Sequence, residues 1–189
     1  MAVMSSLKIF VQKYPITRGM ITYATMWPVS SLIQQTLIEG KNYKNYDYWS
    51  AARFSFYGGM CVATSLYGWI RLSSVIWPKN NFKTAITKAL VEQVTYGPVG
   101  LSMFFFGMTF LEGRGIQKSV DEVKDKFWPS YKVAICVWPV VQTINFTFIK
   151  ESNRVPFVSM CSMLYTIFLA HMHSLKPEDL IMNQELLLA

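Results

Sequence analysis

Amide side chains inside uncharged stretches are the sequence's strongest candidates for chemistry. Gln142 and Asn145 share one helical face, and Arg154 ends the short gap after it. Similar polar groups stand at the ends of two other uncharged stretches: Gln34, Glu92 and Gln93. In a helix within a membrane, such amides either bind neighbouring helices, contributing about 0.6 to 2 kcal/mol each, or line a wet passage. If the groups converge, Glu92 can pair with Arg154 or with Arg53.

Patterns typical of enzymes and metal sites do not occur in the sequence. It has no nucleophile with a neighbouring base, no phosphate-binding loop and no His-Glu-x-x-His pattern, so we predict a protein that is not an enzyme and that uses no cofactor. His171 and His173 point about 200° apart on a helix. We therefore interpret them as solvated at a membrane interface, and we predict no metal site. The three cysteines lack paired spacing and are interpreted as apolar packing groups: Cys61, Cys136 and Cys161.

The elements that must position these polar groups are five stretches without Asp, Glu, Lys or Arg. They cover residues 19–38, 54–70, 93–111, 133–149 and 155–175. Lengths of roughly 17 to 20 residues suffice to cross the hydrocarbon layer as a helix. Charged residues form 15% of the chain and apolar residues 52%, whereas a soluble helical domain would need a charged face on most helices. We predict an all-α integral membrane bundle of four to five spans with short amphipathic surface helices, a single unit over residues 1–189.

The basic residues are spread through every gap between these stretches. The net charge is +7, but no single basic stripe forms, so lipid headgroups are the expected partners and nucleic acid is not. Nine Lys and Arg fall on each side of a five-span arrangement, so the positive-inside rule gives no orientation. The acid-free start with Lys8, Lys13 and Arg18 either resembles a mitochondrial targeting segment or anchors the first span at the headgroups.

Proline positions predict where the helices bend. Pro28 and Pro139 follow tryptophan inside the first and fourth stretches and predict kinks, and Pro98 predicts a bend in the third. Two further Trp-Pro pairs lie in gaps and predict turns at the membrane interface: Trp77-Pro78 and Trp128-Pro129.

Small residues recur at intervals of four along the second stretch: Ala51, Ser55, Gly59 and Ala63. A smooth face of this kind lets two helix backbones approach closely. The stripe therefore predicts helix packing, either within the bundle or between copies in a homo-oligomer.

Two segments beside the stretches show helical amphipathicity. Residues 116–127 alternate apolar and charged faces and predict a surface helix that either lies on the membrane or docks on the bundle. Residues 82–93 predict a helix that runs on to Gly97-Pro98. The first and third stretches end on similar residues, Leu37 to Lys41 and Phe110 to Arg114, a weak sign of a parallel internal repeat.

The fourth stretch resembles the signature of the Mpv-seventeen and peroxisomal-membrane-protein family. The matching residues are Trp138-Pro139, Gln142, Asn145-Phe146 and Arg154-Val155, and weaker matches follow in the family's order: Tyr14-Pro15, Gln34, Arg53, Lys88, Glu92-Gln93 and Pro98. The sequence departs from the family pattern at Val29-Ser30, Val62-Ala63, Leu66 and Lys150. These departures resemble an Mpv-seventeen-like branch. The acidic residue that the family carries near Val29 is missing here, which argues against a gating role at that position in this chain.

The resemblance implies a four-span protein of the mitochondrial inner membrane or, alternatively, the peroxisomal membrane. It also implies a weakly selective channel for small solutes that influences reactive-oxygen balance and mitochondrial homeostasis. The contrasting hypothesis is a non-conducting membrane adaptor whose amides only hold helices together.

Overall fold

The computed structural model describes residues 14, 16–78, 81–148 and 154–174. Within these ranges the chain is all-α and contains no strand. Seven α-helices and one π-helical turn follow in order: α1 (Ile16–Leu37), α2 (Tyr48–Phe56), the π-helical turn (Tyr57–Val62), α3 (Ala63–Ile76), α4 (Phe82–Val94), α5 (Tyr96–Leu111), α6 (Gly115–Phe148) and α7 (Arg154–Ser174). The described residues of the five uncharged stretches lie on these helices and the π-helical turn, apart from Ile38 after α1 and Thr95 between α4 and α5.

The chain runs back and forth through the bundle, so that its connections alternate between two ends. One end, which we name the charged end, holds the loop of residues 38–47, the turn of residues 112–114 and the C-terminal end of α7. At this end α1 finishes at Leu37. Gly40, in the loop that follows, has a φ of 64°, which a residue without Cβ adopts readily, and Lys41 N donates back to Gln35 O at 2.9 Å. Asp47 then caps α2 by accepting from Ser50 N at 2.8 Å.

Aromatic side chains fill the core between α1, α2 and α5. Trp27 contacts both Phe54 and Phe104, with ring centroids 6.2 and 5.8 Å apart, and Phe54 lies 5.9 Å from Phe104. We name these three residues the aromatic plug. Tyr57 stacks on Trp27 from the π-helical turn. Aromatic pairs at these separations add to the stability gained from burial of their area.

The stripe of small residues lies against α1. Ser55 Oγ donates to Ala24 O at 2.6 Å, and a Cβ at Gly59 would come within 2.9 Å of Ala24 Cβ. Ala51 and Ala63 are buried. Close approach of two backbones therefore needs Gly59 at the centre of this contact.

Hydropathy and length identify one candidate membrane span, a bent pair of helices. Within the described ranges, no single helix combines the length and apolar character expected of a membrane span, whereas α4 and α5, bent by 40° at their junction, meet that criterion as a pair.

The bend before Pro98 lies slightly earlier than predicted. The helix of residues 82–93 was expected to continue to Gly97-Pro98, but α4 ends at Val94 and α5 begins at Tyr96. A proline ring clashes with the carbonyl four residues before it, which here is that of Val94. The clash explains why the break precedes Pro98.

One predicted turn is wrong, and one predicted surface helix is the beginning of a longer helix. Trp77 does end α3, but Trp128-Pro129 lies inside α6, which runs through residues 115–148 without a break. Residues 116–127 are therefore the first part of a 34-residue helix, about 51 Å long. The predicted apolar face is also partly wrong, since Ile116 is exposed while Glu122 and Lys126 are buried. Pairing between opposite charges allows those two side chains to be buried.

Candidate functional site: a charged cavity at one end of the bundle

A cavity of about 170 Å³ lies at the charged end of the bundle. Helices α1, α2 and α7, the loop between α1 and α2, and Glu112 in the turn after α5 all contribute to it. Its lining residues are Gln34, Gln35, Glu39, Lys41, Asp47, Ser50, Arg53, Phe54, Glu112, Ala170 and His173. Most of these side chains are polar or charged, and only Phe54 and Ala170 supply apolar wall.

The last turn of α1 forms one wall with two buried amides. Gln34 Nε2 donates to Glu39 Oε1 at 2.8 Å, and Gln35 Oε1 accepts from Asp47 N at 2.7 Å. Glu39 in turn pairs with Lys41 at 2.6 Å. Each amide thus ties the end of α1 to the loop that follows it, which fixes the rim of the cavity.

Glu112 is the centre of the opposite wall. Its Oε1 lies 2.9 Å from His173 Nε2 and 3.8 Å from Arg53 Nη2, and its Oε2 lies 3.6 Å from Arg114 Nη1. Arg53 also lies 3.5 Å from Asp47 Oδ2. One carboxylate therefore connects the ends of α5 and α7 to α2.

A second row of charges lies behind this wall on α6. Glu122 pairs with Lys126 and lies 3.3 Å from Arg114 Nη1. Lys126 Nζ also donates to the backbone carbonyl of His173 at 2.5 Å, and its side chain is almost fully buried. This lysine therefore caps the C-terminal end of α7 and joins it to α6.

Burial and partners change the protonation of these groups. Burial alone would raise the pKa of Glu112, but the hydrogen bond and charge of His173, with Arg53 and Arg114, lower that pKa below its ordinary value. Burial lowers the pKa of Lys126, and Glu122 offsets this effect in part. The pKa of Glu39 is lowered, because Lys41 and Gln34 outweigh its burial. Both carboxylates are thus ionised at neutral pH.

The two similar sequences after α1 and α5 form matching corners of the site. Gly40 and Gly113 both have positive φ, 64° and 74°. The glutamate before each glycine pairs with the cation after it: Glu39 with Lys41 and Glu112 with Arg114. The internal similarity noted in the sequence therefore has a structural counterpart at the charged end.

Below the cavity, buried polar side chains continue between α1 and α7. Ser30 Oγ donates to Met163 O at 3.3 Å, and Thr166 is buried one turn closer to the cavity. Ser31 and Ser162 are also buried. We name these four side chains, Ser30, Ser31, Ser162 and Thr166, the polar seam. The aromatic plug lies beside the polar seam, and its residue Phe54 lines the cavity and also contacts Trp27 and Phe104.

Of the polar residues singled out in the sequence whose side chains the structure describes, Gln34 and Arg53 line the cavity. The side chain of Gln93 is buried, and its backbone carbonyl accepts a hydrogen bond from Tyr131 Oη at 2.8 Å. Glu92 has a side-chain hydrogen bond with Trp69. Glu92 therefore does not pair with Arg53, whose carboxylate contacts are Asp47 and Glu112.

The α6 face of the family signature lies far from the cavity. Gln142 follows Lys126 by 16 residues on one helix, which is about 24 Å along the axis. The backbones of Asn145 and Arg154 lie in α6 and α7. Pro28 and Pro139 lie inside α1 and α6.

The sequence reasoning missed the most connected groups of the site. His173 was interpreted as solvated, but it is largely buried and contacts Glu112. Glu112, Glu122 and Lys126 were assigned to gap and surface segments. The repeated Glu-Gly-Lys/Arg pattern was the available signal for Glu112. Within the described part of the chain, no three His, Cys, Asp or Glu side chains are grouped as a metal site.

Comparison with known proteins identifies the class of this helical bundle. A sequence model of the Mpv17 / PMP22 family matches residues 109–170, the segment that carries the last three residues of α5, all of α6 and most of α7. The chain is 28% identical to PXMP2/4 family protein 4 of Dictyostelium discoideum, over 87% of the chain and 89% of that protein. It is 27% identical to an Mpv17-like protein of Xenopus laevis, over 87% and 80%. Protein SYM1 of Saccharomyces cerevisiae is 25% identical, over 87% and 86%.

The resemblance to the Mpv17 / PMP22 family that the fourth uncharged stretch indicated is confirmed by this family model and by these relatives. The predicted location in the mitochondrial inner membrane, with the peroxisomal membrane as the alternative, agrees with these relatives. Their names are not names of enzymes. Comparison with solved structures returned no match.

Proposed function

We propose that this protein spans an organellar membrane and forms a weakly selective passage for small solutes, with the cavity at the charged end as its mouth. The family resemblance and the low charge content support a membrane location. The main support for a passage is the cavity itself, which is lined by charged and amide groups at the end of a mainly apolar bundle. Ionisable groups at such a position are expensive to hold and are usually functional.

The charges of the cavity favour weak rather than strong selectivity. Glu39, Asp47 and Glu112 face Lys41 and Arg53, so both signs are present in the lining. Rings of one sign select ions of the opposite sign, whereas a mixed lining admits small solutes of either sign. The route continues from the cavity along the polar seam between α1 and α7.

The aromatic plug keeps this route shut in the described conformation. Phe54 closes the floor of the cavity, and Trp27 and Phe104 pack against it. Trp27 Nε1 is buried and has no hydrogen-bond partner among the described residues. An unpaired buried donor costs about 1 to 3 kcal/mol, which water entering an opened route would recover.

Four to five spans cross the bilayer, with α4 and α5 as one bent element, and lipids surround them. The contact between the small-residue stripe and α1 uses that face within one chain, so a homo-oligomer would need another surface. In this account, solute flux links the protein to mitochondrial homeostasis and reactive-oxygen metabolism.

Single-channel recording on the reconstituted protein tests the proposal. Phe54→Ala removes the floor of the cavity and is expected to raise conductance or open probability. Phe110→Ala is the matched control, because Phe110 is an exposed phenylalanine on α5. Gln142→Leu in the same assay tests whether the signature face of α6 also borders the route. Equal conductance of the wild-type protein and the Phe54→Ala variant would contradict the role of the plug.

The closed aromatic core also favours a second candidate, a non-conducting adaptor. In that case the polar network only joins the helix ends. Wild-type and Phe54→Ala proteins that both leave the bilayer silent, while remaining folded, would support the adaptor.

A further inference from the structure

The bundle consists of two units of similar order, joined on one side by α7. In each unit a helical segment leads to a Glu-Gly-Lys/Arg turn and is followed by a second, antiparallel segment. The first unit is α1, residues 39–41, α2, the π-helical turn and α3, and the second is α4, α5, residues 112–114 and α6. Both turns lie at the charged end, so the units have the same orientation. In membrane transporters built from repeats, one repeat often moves as a rigid body against the other.

Each unit is closely packed within itself. In the first unit, a Cβ on Gly59 would come within 2.9 Å of Ala24 Cβ, so the two helix backbones lie very close together. In the second unit, α4 and α5 both lie along α6, and Tyr131 Oη of α6 donates to the backbone carbonyl of Gln93 at 2.8 Å. Closely packed interiors transmit displacement, so each unit can move as one body.

Helix α7 holds both units from one side of the bundle. Ser30 Oγ of α1 donates to Met163 O at 3.3 Å, and Lys126 Nζ of α6 donates to His173 O at 2.5 Å. On the other side, α2 and the π-helical turn face α5. We name the direct contact of α2, the π-helical turn and α3 with α4 and α5 the unit boundary. The helices thus form a ring in which α7 lies opposite the unit boundary.

Contacts across the unit boundary join side chains. They include the Arg53–Glu112 ion pair at 3.8 Å, the Phe54–Phe104 ring contact at 5.9 Å, the Ser65–Tyr96 hydrogen bond at 2.9 Å and the Trp69–Tyr96 ring stack at 5.8 Å. Such contacts can break and re-form without a change in the helices that carry them. Hinge and shear motions of proteins use interfaces of this kind, so the boundary is suited to opening while α7 keeps the units together.

Tyr57 fits into a notch on the opposite unit. It lies in the π-helical turn, its side chain is buried, and its ring covers Gly107 of α5, where an added Cβ would overlap Cε2. The same ring stacks on Trp27 and lies 6.1 Å from Phe104. π-helical turns are frequent at functional sites. Tyr57 therefore connects the closed aromatic plug to the contact between the units.

We propose that the two units rock against each other about α7, and that Tyr57, seated on Gly107, latches them in the closed state. Opening the unit boundary separates Phe54 of one unit from Phe104 of the other, which divides the aromatic plug and frees the floor of the cavity. The charged end offers little resistance, because Arg53 and Glu112 are 3.8 Å apart and form a weak pair. This inference rests on the proposed function, since it names the motion that opens the passage.

Distances between spin labels in nanodiscs, measured by electron paramagnetic resonance, test the motion. One label pair bridges the unit boundary, at Trp49→Cys and Phe110→Cys, and a control pair lies within the first unit, at Leu37→Cys and Trp49→Cys. All three positions are exposed, and alanine replaces the native cysteines, which are Cys61, Cys136 and Cys161.

Tyr57→Ala removes the latch, and Tyr57→Phe is the matched variant that keeps the ring. We expect Tyr57→Ala to raise the ratio of long to short boundary distances roughly two- to tenfold, the range given by loss of one aromatic pair. Gly107→Ala should act in the same direction, because its Cβ displaces the ring of Tyr57. The distance within the first unit should stay constant, and Tyr57→Phe should resemble the wild-type protein.

Boundary distances that stay unchanged in both Tyr57→Ala and Gly107→Ala would overturn the proposal. Equal lengthening of the control distance would also overturn it, because that result indicates local unfolding and not rocking. If Tyr57→Ala does not fold, Tyr57→Leu keeps apolar volume without the ring and gives the same comparison.

The distance measurement does not use conduction, so the two proposals fail separately. A boundary that opens in Tyr57→Ala, in a protein that leaves liposomes impermeable, keeps the rocking motion and refutes the passage. Solute flux through a protein whose boundary distances never change keeps the passage and refutes the rocking motion.

Discussion

Replacement of Glu112 by Gln is the most informative test of the charged end. The substitution keeps the shape of the side chain but removes the charge that faces His173, Arg53 and Arg114. Glu112 is about one-fifth exposed, so water screens its contacts only in part. Loss of one charge-assisted hydrogen bond costs about 1.5 to 3 kcal/mol, and the two longer ion pairs add less. We expect a decrease of about 2 kcal/mol in the free energy of unfolding at neutral pH.

The pH dependence of this loss follows from the lowered pKa of Glu112. Its ordinary value is 4.5, and the folded protein holds it lower. The carboxylate therefore stabilises the fold fully above about pH 4.5, and this contribution disappears as the pH falls through the lower folded value. Wild-type and variant stabilities should converge in acid.

Chemical denaturation in detergent micelles across a pH series measures both effects. Asp121→Asn is the control, because Asp121 is half exposed and its polar contacts among the described residues are with Lys124 and Gln117. We expect it to change stability by less than about 0.5 kcal/mol. If Glu112→Gln changes stability no more than the control, or if its loss persists unchanged in acid, the assignment of Glu112 as the centre of the network is wrong.

Three further substitutions test packing and buried charge. A Cβ at Gly107 would overlap Tyr57 Cε2, whereas one at Gly68 would meet none of the described residues. Thermal unfolding should show Gly107→Ala destabilised, by about 1 to 3 kcal/mol of overpacking less the gain in helix propensity. It should show Gly68→Ala stabilised by up to about 1 kcal/mol. Similar shifts of one sign in both would contradict the contact. Lys126 has a lowered pKa, so the folded form favours its neutral state, and stability gains from this group as the pH rises toward 10.5. Lys126→Met should remove that gain in an alkaline denaturation series; an unchanged slope would place Lys126 in water.

Much of the helical framework could be predicted from uncharged stretches and prolines. The described residues of the five stretches lie almost entirely on helices. Trp77 ends α3 because the following proline cannot continue it. The same rule failed at Trp128-Pro129, since α6 contains both Pro129 and Pro139. Tertiary packing along a 34-residue helix can outweigh the cost of a missing backbone donor, and no local pattern reports that packing.

The candidate site was harder to predict because its residues are distant in sequence. Glu112 and His173 are separated by 61 positions and yet lie 2.9 Å apart. Gln34 was identified because an amide at the end of an uncharged stretch is unusual. Glu122 and Lys126 were assigned to a solvated face, since charged residues on an amphipathic segment are usually exposed, and only the position of α7 explains their burial.

Flux of small solutes through sealed proteoliposomes tests the central claim most directly. Vesicles containing the wild-type protein should release a small metabolite and retain a large sugar, and Phe54→Ala should release the small solute faster than Phe110→Ala does. Vesicles that remain impermeable to small solutes with all three folded proteins would contradict the account.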